Sequence, residues 1–202
     1  FGSSYHGRRL GHEARATTLS FFPSKPLGGY GDGGAILTDD EELAILYRSL
    51  RTHGEGKTRY EVERIGINGR LDTIQAAVLL AKLDAFEDEL TKREAIACAY
   101  DRAMPQGIQQ PVRVPDSESA WAIYSVLLPD AAKRDSLQAH LKVAGVPTAV
   151  SYPQPLHHQP ASSEHHAGAA LPVSEDPGTR PLALPLQPEL TNEHADRIPE
   201  AP

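Results

Sequence analysis

The stretch SFFPSKPLGGYGDGGAILT, residues 20–38, places one lysine between an aromatic, apolar run and a cluster of glycines. Pro23 and Pro26 flank Lys25, and a proline both fixes its own φ and restricts the residue before it. Lys25 is therefore expected in a stiff, partly buried segment. An ε-amine that is partly removed from water is more often neutral, and a neutral amine attacks carbonyl carbon. Schiff-base chemistry at Lys25 is one interpretation, and an ordinary solvated lysine is the other.

The glycines of GYGDGG, residues 29–34, formally match the G-x-G-x-x-G pattern of dinucleotide-binding loops. That pattern needs a helix directly after the last glycine, whereas the next residues, AILT, are typical of a strand. A generic nucleotide-binding α/β domain therefore remains only as an alternative that tight dinucleotide binding would favour. The glycines are expected to allow a turn with positive φ, or a close approach of the main chain to a ligand.

Around this stretch, the pattern of apolar residues predicts strands separated by helices. Strands are expected over 16–22 and 34–37, and a helix over about 40–51 begins at the capping-box spacing of Thr38 and Glu41. A single long helix is expected from about 70 to 104. The predicted buried stripe of that helix consists of Leu79, Leu83, Phe86 and Leu90.

The second half of the chain alternates in the same way. A strand over 122–128, a helix over 131–144 with Gly145 as its cap, and a strand over 148–152 are expected. The following residues, 153–188, are expected to be irregular. Strands separated by helices predict an α/β fold.

The composition indicates a globular chain of two parts. Its 202 residues are 40% hydrophobic and 23% charged, which suits a chain with a core. Of 17 prolines only Pro23 and Pro26 precede residue 104, and we place a domain boundary near Met104–Pro105. The net charge of −7 argues against nucleic-acid and anionic-membrane partners, which need a basic surface. Cys98 is the single cysteine and no apolar run reaches the length of a membrane span, so a cytoplasmic location is expected.

Five motifs follow one another along the chain: SFFPSKPLGGYGDGGAILTDDEEL, LRTHG, GINGRLDTIQAAVLLAKL, YPQPLHHQP and LALPLQPELT. Together they resemble the DegT/DnrJ/EryC1/StrS family of sugar aminotransferases, which are fold type I enzymes dependent on pyridoxal phosphate. The resemblance implies part of the three-layer α/β/α cofactor-binding large domain over 1–104, including the long linking helix, and a small α+β domain over 105–202. The N-terminal part of the family's large domain is expected to be missing from this chain.

The resemblance also implies roles for individual residues. Lys25 matches the lysine that binds the cofactor covalently and moves the proton, and Ser20 matches a hydroxyl that binds the cofactor phosphate. Asn68 matches an asparagine that reaches the phosphate of the partner subunit's cofactor, which implies a homodimer with a composite active site. Arg70 and Tyr152 match residues near the nucleotide-sugar pocket.

The implied reaction is the transfer of an amino group to a nucleotide-linked keto sugar, with an amino acid such as glutamate as donor. It would serve the biosynthesis of cell-surface polysaccharides or secondary metabolites. The family's acid that pairs with the pyridine nitrogen matches a position before Phe1, so the chain alone is expected to be a poor catalyst or none. A truncated, non-catalytic relative that acts as a binding or regulatory partner is the alternative. Ser151 stands where relatives often have histidine, so substrate contacts are expected to differ.

Nine histidines raise the question of a metal site, above all the pairs His157–His158 and His165–His166. Zinc sites generally need ligands on defined elements, whereas this stretch is expected to be irregular. Solvated loop histidines are the default interpretation, and no metal site is predicted. His157 also lies in the PLH segment that matches the family, and no chemical role is assigned to it.

Overall fold

The computed structural model describes residues 1–58, 60–163, 170–176 and 179–190. The chain divides into two compact units. The first comprises Phe1–Leu90 with Val114–Ala120, and the second comprises Thr91–Arg113 with Trp121–Pro202. The domain boundary expected near Met104–Pro105 stays a prediction. Within the described residues, no helix is both long and apolar enough to cross a bilayer.

The chain forms short strands and six α-helices within the residues that the structure describes. In chain order, the elements are β1 (Ser4–Tyr5), β2 (Arg8–Arg9), β3 (Thr17–Ser20), β4 (Gly34–Leu37), α1 (Glu41–Arg51), α2 (Thr73–Leu83), α3 (Phe86–Ala103), β5 (Ser117–Glu118), β6 (Tyr124–Leu127), α4 (Ala131–Val143), a 3₁₀ turn (Leu156–His158), α5 (Pro160–Ser163), α6 (Pro172–Glu175) and β7 (Pro181–Leu184).

The hairpin of β3 and β4 carries Lys25 and the glycines that follow it. The two strands pair antiparallel, from Thr17 opposite Leu37 to Ser20 opposite Gly34. The prediction for β4 is confirmed, and β3 is shorter than the expected 16–22. The pairing brings both ends of the intervening loop together, since the Phe21 N–H donates to the Gly33 carbonyl at 2.8 Å.

Helix α1 forms where it is predicted, but with a different cap. The Asp40 carboxylate accepts the Leu43 N–H at 3.1 Å, so Asp40 is the N-cap and the capping box of Thr38 and Glu41 is wrong. A carboxylate is a strong acceptor for the free N–H groups of a first helical turn. The Thr38 hydroxyl instead accepts the Asp40 N–H at 3.1 Å, one step outside the helix.

The expected long helix over 70–104 is wrong, because the structure has two helices there. Residue Asp72 is extended, with ψ of 136°, so α2 begins only at Thr73. Between α2 and α3 the Ala85 N–H donates to the Lys82 carbonyl three residues back, which tightens the chain into a turn. Of the predicted stripe, Leu79 and Phe86 are buried, while Leu83 beside the turn is 41% exposed.

In the second unit, β6 and β7 pair antiparallel and α4 covers residues close to its prediction. The strand expected over 148–152 is wrong: only one isolated bridge forms, between Ala149 and Ala183. The left-handed φ of +55° at Tyr152 ends the extended run. The expectation of an irregular 153–188 is also wrong in part, because α5, α6 and β7 lie within it.

The core of the second unit is built around aromatic side chains. Tyr100 and Tyr124 are fully buried, with ring centroids 5.1 Å apart, and Trp121 is 7% exposed. Their polar atoms are satisfied: the Tyr124 hydroxyl donates to Asp101 at 2.6 Å, and the Trp121 ring N–H donates to Glu94. Burial raises the pKa of both tyrosines.

Candidate active site

Lys25 lies in the loop of residues 21–33 that joins β3 to β4, which we call the Lys25 loop. The Lys25 N–H donates to the Phe22 carbonyl at 2.8 Å, which closes a tight turn around Pro23. The side chain is half-buried. A Cβ atom added to Gly28 would lie 2.6 Å from the Pro23 carbonyl oxygen, so the loop folds back on its own main chain. The backbone on both sides of Lys25 is therefore closely restrained.

The glycines of the Lys25 loop serve close approach rather than unusual backbone angles. Every glycine with positive φ in the described chain lies elsewhere, so of the two expected alternatives the positive-φ turn does not form here. A Cβ on Gly33 would lie 2.9 Å from the Leu71 side chain, and one on Gly34 would lie 2.7 Å from the Leu19 carbonyl oxygen. The close approach that the sequence suggested is present, but its partner is the protein itself.

Helix α2 supports the Lys25 loop with two polar side chains that sequence reasoning missed. The Gln75 Oε1 atom accepts the Tyr30 N–H at 2.8 Å. The Lys82 ammonium donates to the Gly28 carbonyl at 2.8 Å. The signal that could have found them is their helical spacing with the buried Leu79, which puts all three on one face of α2.

Ser20 ends β3, directly before the Lys25 loop, and is exposed. Its Oγ accepts the Phe22 N–H at 3.3 Å, which occupies an acceptor site and leaves the hydroxyl hydrogen for another acceptor. A phosphate oxygen is an acceptor of that kind. The hydroxyl and the lysine thus belong to one short segment whose backbone is fixed by the hairpin.

Asn68 and Arg70 are brought together by the structure. The Arg70 Nε donates to the Asn68 Oδ1 at 3.0 Å. Since arginine only donates, the oxygen half of the amide faces Arg70, and the Nδ2 half is the one available to a phosphate. Both side chains are exposed.

The segment that carries Asn68 is held by main-chain pairing with the end of α1. The Ile67 N–H donates to the Leu50 carbonyl at 2.8 Å, and the His53 N–H donates to the Ile67 carbonyl at 2.9 Å. Gly54, with φ of +79°, lies so close to Arg64 that an added Cβ would be 1.7 Å from its carbonyl oxygen. The LRTHG and GINGR motifs are therefore two halves of one tightly packed turn.

Tyr152 belongs to the second unit, whereas the other four predicted site residues belong to the first. Its side chain is 82% exposed. The site roles of Ser20, Lys25, Asn68, Arg70 and Tyr152 stay predictions.

His157 is buried, so the solvated-loop interpretation is wrong for this residue. Its Nε2 lies 3.0 Å from Oε1 of Glu175, and the His158 Nε2 lies 3.8 Å from the same oxygen. That oxygen also accepts the Leu171 N–H at 2.9 Å, at the start of α6. The Leu171 N–H and the His157 ring hold the pKa of the Glu175 carboxyl below its usual value. The ligand atoms of His157, His158 and Glu175 all lie within 4.8 Å of one another, so this group could also hold a metal ion. His165–His166 lie outside the described residues.

A cleft of about 830 Å³ lies against β3, β4 and α1 in the first unit. Its lining includes Tyr47, Arg48 and Arg51, but neither Ser20 nor Lys25. The residues predicted to hold the cofactor therefore do not line this cleft.

Comparison with known proteins identifies relatives along the whole chain. The model of the DegT/DnrJ/EryC1/StrS aminotransferase family matches residues 1–201. The UDP-2-acetamido-2-deoxy-3-oxo-D-glucuronate aminotransferase of Pseudomonas aeruginosa is 47% identical over 191 residues, which are 94% of this chain and 52% of the relative.

Solved structures agree with this match. A DegT DnrJ EryC1 StrS aminotransferase from Brucella abortus is 44% identical with a TM-score of 0.93, over 99% of this chain and 53% of that chain. NtdA from Bacillus subtilis, solved with bound cofactor PMP, is 32% identical with a TM-score of 0.85, over 95% of this chain and 46% of that chain. The chain thus spans about half the length of these relatives, and the predicted partial fold type I architecture is confirmed. This protein belongs to the DegT/DnrJ/EryC1/StrS aminotransferase family.

Proposed function

We propose that this protein takes part in the pyridoxal phosphate-dependent transfer of an amino group to a nucleotide-linked keto sugar. The observation that carries the proposal is Lys25 itself, half-buried in a loop whose main chain is fixed on both sides. The name of the Pseudomonas aeruginosa relative supports the substrate class, because it specifies a UDP-linked 3-oxo sugar acid. The amino donor we propose is glutamate, and the product would serve polysaccharide or secondary-metabolite biosynthesis.

The described side chains include the types of chemical group that pyridoxal phosphate would need for binding. Ser20 offers a hydroxyl donor for a phosphate, and Lys25 offers a primary amine five residues further on. Asn68 offers the amide Nδ2, oriented through the Arg70 contact at its oxygen. We propose that this Nδ2 serves the cofactor of a second subunit, so that a homodimer completes each site. Pyridoxal phosphate, when bound, supplies an electron sink for the carbon that carries the amino group.

The side chains of this chain would divide the work as follows. The Lys25 Nζ would hold the cofactor covalently and would be the group that accepts and returns the proton. Ser20 would donate a hydrogen bond to the cofactor phosphate. Arg70 orients Asn68, and together with Tyr152 it would contact the nucleotide sugar.

Absorbance of the purified protein tests the proposal directly. Adding pyridoxal phosphate should produce a visible band, and borohydride should reduce it to a stable adduct that peptide mass spectrometry locates on Lys25. Lys25→Ala should abolish band and adduct, because no other amine occupies that loop. Lys142→Ala, at an exposed position of α4, is the matched control and should leave both unchanged.

The non-catalytic alternative predicts a different result. A protein that forms no adduct, even in a version extended at its N terminus to the length of the relatives, would contradict the proposed function. An adduct on a lysine other than Lys25 would contradict the assignment of the site.

A further inference from the structure

We propose that Gln75 and Lys82 are positioning residues for Lys25, acting from helix α2 through the glycine-rich half of the Lys25 loop. The inference rests on the proposed function of Lys25 and adds two residues that touch neither cofactor nor substrate in our assignment. Each has its own contact with the loop main chain.

One face of α2 meets three consecutive parts of the Lys25 loop. Gln75, Leu79 and Lys82 are spaced four and three residues apart, so they lie along the same side of the helix; we call this the loop-binding face. Leu79 is 6% exposed and shares an apolar cluster with Leu27, which is 4% exposed. The loop is thus attached to α2 by an apolar contact with a polar contact on each side of it.

Gln75 lies in a space that two glycines border. Its Oε1 accepts the Tyr30 N–H at 2.8 Å. A Cβ on Gly29 would lie 2.8 Å from that Oε1, and a Cβ on Gly31 would lie 3.0 Å from the Gln75 Nε2. The carboxamide therefore sits between the main chain of two glycines, which explains why glycines flank Tyr30 without needing positive φ.

Lys82 secures the other end of the same segment. Its Nζ donates to the Gly28 carbonyl at 2.8 Å and lies 5.4 Å from the centroid of the Tyr30 ring. A charge-assisted bond to a main-chain carbonyl is stronger than a neutral one. Lys82, the second lysine near the loop, therefore makes a structural contact, whereas Lys25 is the proposed reactive amine.

The restraint reaches Lys25 through a short and stiff connection. Only Pro26 and Leu27 separate Lys25 from Gly28, and proline fixes its own φ. Gly28 in turn lies against the Pro23 carbonyl on the other side of Lys25. Fixing Leu27 and Gly28 on α2 therefore fixes where the Lys25 Cα lies, and a nucleophile gains rate from such positioning.

The test compares variants that remove one contact each while keeping side-chain size. Gln75→Leu removes the acceptor for Tyr30, Gln75→Glu retains an oxygen at that position, and Lys82→Met removes the donor to Gly28. Gln138→Leu and Lys142→Met make the same replacements on α4 and are the matched controls. Two quantities are measured: backbone amide exchange of Tyr30, which needs no cofactor, and the rate at which Lys25 forms its borohydride-reducible adduct with pyridoxal phosphate.

We expect Gln75→Leu to speed exchange of the Tyr30 amide by about fivefold, the effect of one lost neutral hydrogen bond. The rate of adduct formation should fall by at least as much, and Gln75→Glu should restore both quantities towards the wild-type values. Lys82→Met should likewise slow adduct formation. The two control variants should match the wild type.

Adduct formation at the wild-type rate in both Gln75→Leu and Lys82→Met would overturn the inference. Unchanged exchange at Tyr30 in Gln75→Leu would overturn it as well. If neither the wild type nor its version extended at the N terminus forms an adduct while Gln75→Leu still frees the Tyr30 amide, the proposed function fails and the structural restraint stands.

Discussion

Replacing Gly54 with alanine should separate the energetic cost of a backbone angle from that of a collision. Gly54 has φ of +79°, and Gly7 in the same unit has φ of +73° with nothing within 4 Å of an added Cβ. Gly7→Ala should therefore lower the free energy of unfolding by about 1 kcal/mol, because only the left-handed conformation is unfavourable for alanine there. Gly54→Ala has the same unfavourable conformation and also places its Cβ 1.7 Å from the Arg64 carbonyl oxygen.

The energetic cost of this collision can be worked out from the hydrogen bonds that are lost when it is relieved. To relieve it, the Gly54 main chain has to move away from the segment whose Glu63 and Arg64 N–H groups donate to its carbonyl, at 3.0 and 3.4 Å. Two neutral hydrogen bonds are worth about 2 kcal/mol together. We therefore expect Gly54→Ala to lower the free energy of unfolding by about 3 kcal/mol.

Urea unfolding of the two variants and the wild type measures the difference. A second control is Gly145→Ala in the other unit, where φ is +78° and again nothing lies within 4 Å of the added Cβ. Faster amide exchange at His53 and Ile67 in Gly54→Ala would locate the damage in the turn that carries Asn68. A loss for Gly54→Ala no greater than that for Gly7→Ala would refute the reasoning.

Two further predictions concern the second unit. Leu141→Ala should lower the free energy of unfolding by about 3 kcal/mol, because the Leu141 side chain is 1% exposed. Val143 on the same helix is 90% exposed, and Val143→Ala should lower that free energy by less than about 0.5 kcal/mol. Equal losses in chemical denaturation would contradict the described core. The Leu171 N–H and His157 lower the pKa of Glu175 from its ordinary 4.5, so its contribution to stability is complete above that value and is lost as pH falls through the lower folded value. Glu175→Gln should flatten this part of the stability curve in thermal denaturation against pH, and an unchanged curve would argue against the bond.

Local elements with their own start signals could be predicted from the sequence. Helix α1 follows from acidic residues before an apolar face, and β4 follows from a short apolar run after glycine. The break between α2 and α3 could not be predicted from the apolar spacing. Leu79 lies before the break and Phe86 after it, yet the two are seven residues apart and both are buried. A heptad spacing that continues across a turn is indistinguishable from one continuous helix.

The contacts around Lys25 could be anticipated from the sequence only in part, for a physical reason. Lys25 and Ser20 stand in a motif whose residues are adjacent in sequence. Gln75 and Lys82 reach the same loop from 45 and 54 residues away, and a helix face with one polar residue at each end also occurs on ordinary surfaces. The sequence showed that the glycines need space, but not which side chain fills it.

The loop-binding face of α2 also limits where this chain can tolerate changes in length. One residue inserted between Gln75 and Lys82 would rotate everything after it by about 100° around the helix axis. Lys82 would then lose its hydrogen bond to the Gly28 carbonyl, while Gln75 would keep its hydrogen bond to the Tyr30 N–H. Gly28 and Tyr30 could no longer both be bound by the same face of α2. Insertions and deletions among relatives should therefore avoid these eight positions and accumulate in the connections outside α2.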